Sequence, residues 1–285
     1  RKRIVVAVTD LQRRGGARFV YRISVRDLGR PDFQLSTDVR EVNIPASGSQ
    51  VIKVQVARAG FNGPIRLVAK GLPQGIKVAG DQIPAGASTA LLTLTAPGTP
   101  ARHGLISVEG HGQYGNRKLV RVAQRANDPV ATHQPWLRRE LAVGVGQPTS
   151  FQFTWTADPP KFARGMQLPV KVALQRNADV SGDIRFRLLT TQVMPKKKVK
   201  RNKKDVLVDD LDRAIRLESS PLISQTTSET NLNVTVPTEL PGRAWGLVLV
   251  AELLSADKKS VVTRVVSPAR QFAPITPLTV AITGQ

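Results

Sequence analysis

Apolar residues recur at every second position over most of the chain. Val51-Ile52-Lys53-Val54-Gln55-Val56 alternates cleanly, Phe151, Phe153 and Trp155 share one face, and so do Leu247, Leu249, Ala251 and Leu253. A period of two predicts half-buried β-strands. From residue 31 onward, strands are predicted at 33–35, 39–44, 51–56, 65–69, 76–78, 90–96, 104–111 and 118–122. Turn signals separate them: Ser47-Gly48, Asn62-Gly63-Pro64, Gly71-Leu72-Pro73, Gly80-Asp81 and Pro97-Gly98. No segment shows a helical period. Roughly eight short strands with a turn about every ten residues predict a β-sandwich of immunoglobulin or fibronectin type.

A second set of strands is predicted at 141–145, 151–156, 167–174, 184–189, 215–217, 231–236, 245–255, 260–266 and 278–282. The whole chain is therefore read as all-β, with tandem sandwiches at 31–125 and 141–285. Residues 126–140, polar and broken by Pro129 and Pro135, are read as the linker, with Trp136 packing on one neighbour as a staple. Residues 1–30 predict a hairpin. Ile4–Val8 and the period-two set Phe19, Tyr21, Ile23 and Val25 flank a turn at Gly15-Gly16. Two strands cannot bury their own apolar face, so this hairpin is assigned to a preceding sandwich.

The regular pattern weakens over 192–228. Lys196, Lys197, Lys198, Lys200, Arg201, Lys203 and Lys204 fall almost together. Like charges resist packing and extend the chain, which predicts an insertion loop projecting from the second sandwich. Asp205, Asp209, Asp210 and Asp212 follow, and would fold back to neutralise part of it.

A length of 285 residues exceeds what one core usually serves, which makes two domains the default and leaves three open. The 41% hydrophobic content is carried by Val, Leu, Ile and Ala, since aromatics are only 5%. There is no cysteine, which excludes disulfides, thiolate metal sites and cysteine nucleophiles. The net charge of +21 attracts anionic polymers of any kind, but no nucleic-acid motif accompanies it. No run approaches the roughly 18 apolar residues of a membrane helix. The chain opens on Arg1-Lys2-Arg3 without an initiator Met, as a processed or excised piece would, any targeting segment lying upstream.

Candidate chemistry is sparse. His103 and His111 bracket one predicted strand some 26 Å apart at about 3.3 Å per residue, too far to share a metal, and His133 lies in the predicted linker. No Gly-x-Ser-x-Gly elbow is present. The acids at 205–212 lack the central Gly and closing Glu of an EF-hand loop. No Gly-rich loop precedes a helix, so a phosphate cradle is not indicated. No catalytic residue, metal ligand or cofactor is expected. The contact candidates are the basic run Lys196–Lys204 and Trp136. Aromatics that could stack bases are lacking near the run.

Two stretches resemble known families. Val51–Val56, then Arg58-Ala59-Gly60-Phe61-Asn62-Gly63-Pro64-Ile65, then Gly71-Leu72-Pro73-Gln74-Gly75-Ile76, then Ile83-Pro84-Ala85-Gly86 and Ala90–Leu94 resemble the bacterial immunoglobulin-like repeats of large exported proteins of planctomycete type. The first 28 residues, through Val6, Val8, Asp10, Leu11, Arg13–Gly16, Phe19, Tyr21–Ile23 and Val25, resemble the last strands of a bacterial pre-peptidase C-terminal domain. The second half matches the repeat only in its order of elements, with the basic insertion standing near the missing Gly-Leu-Pro step. These resemblances imply an exported, modular, non-enzymatic role and no catalytic residues.

The reading that follows is a structural or interaction module of an extracytoplasmic assembly, contacting other domains or subunits. Two alternatives stand beside it. One is a salt-sensitive binder of an anionic polymer, nucleic acid or acidic glycan, through the 196–204 run. The other is an accessory region of an enzyme whose catalytic domain lies elsewhere.

Overall fold

The computed structural model describes residues 30–98, 103–126, 134–157, 162–178, 180–201 and 204–276, with a few positions among the first sixteen. The hairpin expected over residues 4–25, His133 and the strand expected at 278–282 lie outside the described residues. Residues 32–285 form one compact unit. It is all-β.

The first half holds β1 (Asp32–Thr37), β2 (Glu41–Pro45), β3 (Ser49–Ala59), β4 (Ile65–Lys70), β5 (Lys77–Ala79), β6 (Gln82–Ile83), β7 (Thr89–Thr95), β8 (His103–Tyr114), β9 (Arg117–Val122), β10 (Gln124–Arg125) and β11 (Leu141–Gly146). One sheet runs β10-β1-β3-β7-β5; the facing sheet runs β2-β11-β8-β4-β6, with β9 beside the far half of β8. Between them lies a core of Phe33, Leu35, Ile44, Ile52, Val54, Ile65, Leu67, Leu92, Leu94 and Ile106. These are the inward members of the period-two pattern.

The second half holds β12 (Phe151–Ala157), β13 (Gln167–Arg176), β14 (Ile184–Thr190), β15 (Lys196–Arg201), β16 (Lys204–Asp209), β17 (Arg216–Leu217), β18 (Leu222–Ile223), β19 (Glu229–Thr235), β20 (Trp245–Leu254), β21 (Val261–Val266) and β22 (Arg270–Phe272). Its sheets are β12-β13-β19-β17 and β18-β14-β20, the last flanked by β21 and β22. Their core contains Phe151, Trp155, Leu168, Val172, Phe186, Leu232, Trp245, Leu247 and Leu249.

The two sandwiches repeat one wiring. β4 pairs β8 and β6, as β14 pairs β20 and β18. β7 joins β3 to β5, as β19 joins β13 to β17. The parallel pair β2–β11 has its counterpart in a single parallel bridge, Ala163 to Ile275. In the first sandwich, Gly71-Leu72-Pro73-Gln74-Gly75 carries the chain from β4 in one sheet to β5 in the other, with Leu72 against the core. Gly71 has φ +79, and a Cβ there would stand 2.7 Å from the Leu105 carbonyl oxygen, so only glycine fits. In the second sandwich the same crossing, β14 to β17, is made through β15 and β16.

One strand falls elsewhere than the sequence predicts. Residues 141–145, expected to open the second sandwich, are β11. This strand pairs in parallel with β2 and antiparallel with β8, and it gives Leu141, Val143 and Val145 to the first core. Residues 126–140, expected as the linker between sandwiches, thus connect β10 and β11 of the same sandwich. The connection to the second sandwich is the short stretch 147–150.

The sandwiches also meet through their outer faces. β20 is buried along its whole length: Leu247, Leu249, Ala251 and Leu253 point into the second core, while Val248 and Val250 point away from it. β7 is likewise two-sided, Leu92 and Leu94 facing inward and Leu91 outward. Leu91, Val248, Val250 and Val266 form a third cluster, with Val51, Leu189 and Ala269 against it. At about 1.5–3 kcal/mol for each fully buried side chain, the four residues contribute at most on the order of 6–12 kcal/mol. Val266 pairs with Ser49, which joins β21 to β3 and makes a continuous ten-stranded sheet.

Candidate functional site

Ser49 and Val266 border the most charged feature of this seam. Glu252, on β20, is only 1% exposed. A lone buried carboxylate would be costly, and three guanidinium groups answer it. Arg185 donates to its Oε2 from Nη2 at 2.7 Å and from Nε at 3.2 Å. Arg264 Nε donates to Oε1 at 3.0 Å, and Arg187 Nη1 lies 3.5 Å from the same oxygen. Burial pushes the Glu252 carboxyl up. The Arg185 hydrogen bond and the charges of Arg187, Arg185 and Arg264 outweigh it and leave the group below the ordinary carboxylate range. Glu252, Arg187 and Arg264, with Ser49, Gln50, Val51 and Val266, line a groove of about 280 Å³ between the sandwiches.

Polar bridges cross the seam as well. Thr93, fully buried on β7, accepts from the Ala269 backbone N–H at 2.9 Å and donates to the Ala79 carbonyl at 3.3 Å. Arg243 Nη1 donates to the Gly86 carbonyl at 2.7 Å while its guanidinium lies 4.6 Å from the Trp245 ring centroid. Gln271 donates to the Gln82 carbonyl at 3.1 Å. Within the first sandwich, Arg58 donates to the carbonyls of Ala87, Phe61, Gly63 and Pro84 and so ties two turns together.

The basic run is folded, not an extended loop. β15 and β16 pair from Lys196–Asp209 through Arg201–Lys204. The sequence counts cations along the chain. Across the strands, Lys196 faces Asp209 and Lys200 faces Asp205, while Val199 faces Val206. Opposite charges and β-branched pairs across strands stabilise a ribbon. Lys196 and Asp209 form an ion pair. Lys197 reaches Asp212 at 3.0 Å and Asp210 at 3.4 Å. Its hydrogen bonds to Asp212 and Asp210 hold the ammonium above its usual pKa, and the Lys197 contact holds Asp212 below its own. Partial neutralisation by the acids, expected from the sequence, is what these contacts perform.

Lys198 and Lys200 form no ion pair among the described residues, and both are exposed. Nothing is described for Lys203, nor for the side chains of Arg201 and Lys204. The exposed large apolar side chains Val193, Met194, Val206, Leu207 and Leu211 all belong to this insertion. Trp136 sits on a 3-10 turn, Pro135–Arg139, and is 60% exposed. An indole so open is not the staple expected of it. It also belongs to a different sandwich from the basic ribbon. His111 pairs with Glu109 at 2.9 Å, and His103 is exposed. Among the described residues, no group of three or more His, Cys, Asp or Glu is placed to hold a metal. No helix among them is long and apolar enough to cross a membrane.

A scan against protein-family models finds no match, and a search of curated proteins finds none either. Solved structures do align with the chain at low similarity. Domains 4–9 of the surface layer protein SbsC match at 10% identity and a TM-score of 0.31, over 87% of this chain and 32% of that one. The chain thus spans about a third of that fragment's length. The Yersinia pseudotuberculosis adhesin InvE matches at 12% identity and a TM-score of 0.24, over 88% and 60%. An ectodomain fragment of ICAM-5 matches at 10% identity and a TM-score of 0.28, over 87% and 52%.

Proposed function

We propose that the chain is a non-catalytic structural and interaction module of an exported multidomain bacterial protein, with residues 1–30 closing a preceding domain. Its two sandwiches hold one fixed arrangement and present the β15–β16 ribbon to a partner subunit or domain. The observation that carries this reading is the seam. Side chains of core quality, Leu91, Val248 and Val250, and a three-arginine cage around Glu252 are spent on joining two sandwiches that each already have a complete core. A flexible string of domains would need none of these. The short connection at 147–150 supports it further.

The test uses the absence of native cysteine. Spin labels at the exposed positions Val120→Cys and Val262→Cys report the distance between the sandwiches. A single narrow distance distribution is the expected result. A broad one, spanning tens of ångströms, would remove the basis for the proposal.

A second reading, binding of an anionic polymer, is favoured by Lys198, which is exposed, faces Leu207 and forms no ion pair among the described residues. It predicts that affinity for heparin or duplex DNA falls steeply between 50 and 200 mM salt, through counterion release. Affinity indifferent to salt would count against it.

A further inference from the structure

The backbone of the ribbon carries a directional signal that its charge does not. The Asp210 N–H donates to the Pro195 carbonyl at 2.8 Å, in register with the Lys196–Asp209 pairing. In an antiparallel pair the residues alternate between exchanging hydrogen bonds with the partner strand and pointing their N–H and C=O groups outward. Pro195, Lys197, Val199 and Arg201 therefore turn their backbone toward β16. Lys196, Lys198 and Lys200 turn theirs to the outer edge of β15, and their side chains share one face. Among the described residues this sheet has two strands only, so nothing pairs with that edge.

We infer that the outer edge of β15 accepts an extended acidic segment of a partner protein as a third strand. The inference rests on the interaction-module reading and names its mode and partner chemistry. Three features select that occupant. A two-stranded ribbon is marginal in water, and a third strand completes it. Alternating outward donors and acceptors match the repeat of a polypeptide backbone; phosphate and sulfate groups accept but do not donate and leave the carbonyls unmatched. Lysine along an edge repels neutral and cationic strands, and it repels a second β15 edge of the same chain, which would set lysine against lysine. An incoming strand with carboxylates at alternate positions is the one that meets Lys198 and Lys200 favourably.

The test is fluorescence anisotropy on the full chain with a labelled eight-residue peptide of alternating Glu and Val. Wild type should bind it. Lys198→Ala, which removes one charge, should weaken binding several-fold. Lys198→Pro also deletes the outward N–H, and proline is tolerated at such an edge position. It should weaken binding at least ten-fold further. The same peptide N-methylated at alternate residues should fail against wild type, an arm that needs no variant to fold. The inference is overturned if wild type ignores the peptide, if the alanine and proline variants lose equally, or if N-methylation is harmless. Equal losses with competition by heparin or DNA would assign the ribbon to anionic polymers instead. The label distances at Val120→Cys and Val262→Cys are independent of every one of these outcomes, so failure here leaves the module reading to its own test.

Discussion

Replacing Glu252 by Gln changes one oxygen to an amide and hardly alters the volume, so packing at the seam is held constant while its charge is removed. Breaking a buried ion pair usually costs about 3–5 kcal/mol, because the surviving charge is left buried and unpaired. Here the survivors are Arg185, Arg187 and Arg264, whose side chains are 40%, 58% and 60% exposed. Water screens much of their mutual repulsion, which brings the expected loss to about 1.5–3 kcal/mol. At about 2–4 °C per kcal/mol for a unit of this size, the melting temperature should drop by roughly 3–12 °C. The pH dependence is more specific than the drop. The folded Glu252 carboxyl lies below its unfolded value near 4.3. Its contribution is therefore fully present above that value and disappears as pH falls through the lower folded one. Urea titrations of wild type and Glu252→Gln, run from pH 7 to pH 3, should give a stability difference that is constant near neutrality and narrows in acid. Every other carboxylate titrates in both proteins and cancels. A variant as stable as wild type at pH 7, or a gap that does not narrow in acid, would refute the account of the cage.

Other outcomes follow from single contacts. Gly80 has φ +73, and a Cβ there would lie 2.1 Å from the Leu91 carbonyl oxygen, so Gly80→Ala should cost at least about 2 kcal/mol in urea unfolding. Arg58→Ala should cost about 3 kcal/mol, and Arg58→Lys should not rescue it, since an ammonium cannot reach four carbonyls held by a planar fork. Trp136→Ala should shift stability by less than about 0.5 kcal/mol, given its exposure. Replacing residues 193–212 by a short Gly-Ser loop should leave stability within about 1 kcal/mol, because Gln192 and Arg213 already lie in hydrogen-bond contact.

Alternation along the chain was enough to place most strands, because inward residues such as Ile52, Val54, Leu247 and Leu249 declare themselves locally. What alternation does not contain is the sheet a strand joins. Residues 141–145 read as a strand and are one, but their partner, β2, lies about a hundred residues upstream, and a parallel pairing leaves no local turn signal. The seam did have a signature. Trp245-Gly246-Leu247-Val248-Leu249-Val250-Ala251-Glu252 is apolar on both faces up to a single acid, which a strand covered on one side only would not be. Taking only the Leu247–Leu253 face hid it. The ribbon is hidden from the linear sequence for a related reason. Seven cations counted along the chain look unfoldable, yet antiparallel register sets Asp209 and Asp205 against Lys196 and Lys200. The glycines and proline of the Gly71–Gly75 step were legible as turn residues because their conformational demands are local.

The claim on which the rest depends is that the two sandwiches behave as one body. Thermal unfolding followed in parallel by calorimetry and tryptophan fluorescence of a Trp136→Phe background tests it most directly, since the remaining Trp155 and Trp245 lie in the second core and report that sandwich, while heat capacity reports both. In this background the fluorescence transition should coincide with a single calorimetric peak for the sandwiches. Val248→Asp, which puts a charge into the fully buried seam, should split that peak in two. Two separate peaks in wild type, or a Val248→Asp variant that still melts in one step at the wild-type temperature, would contradict the account.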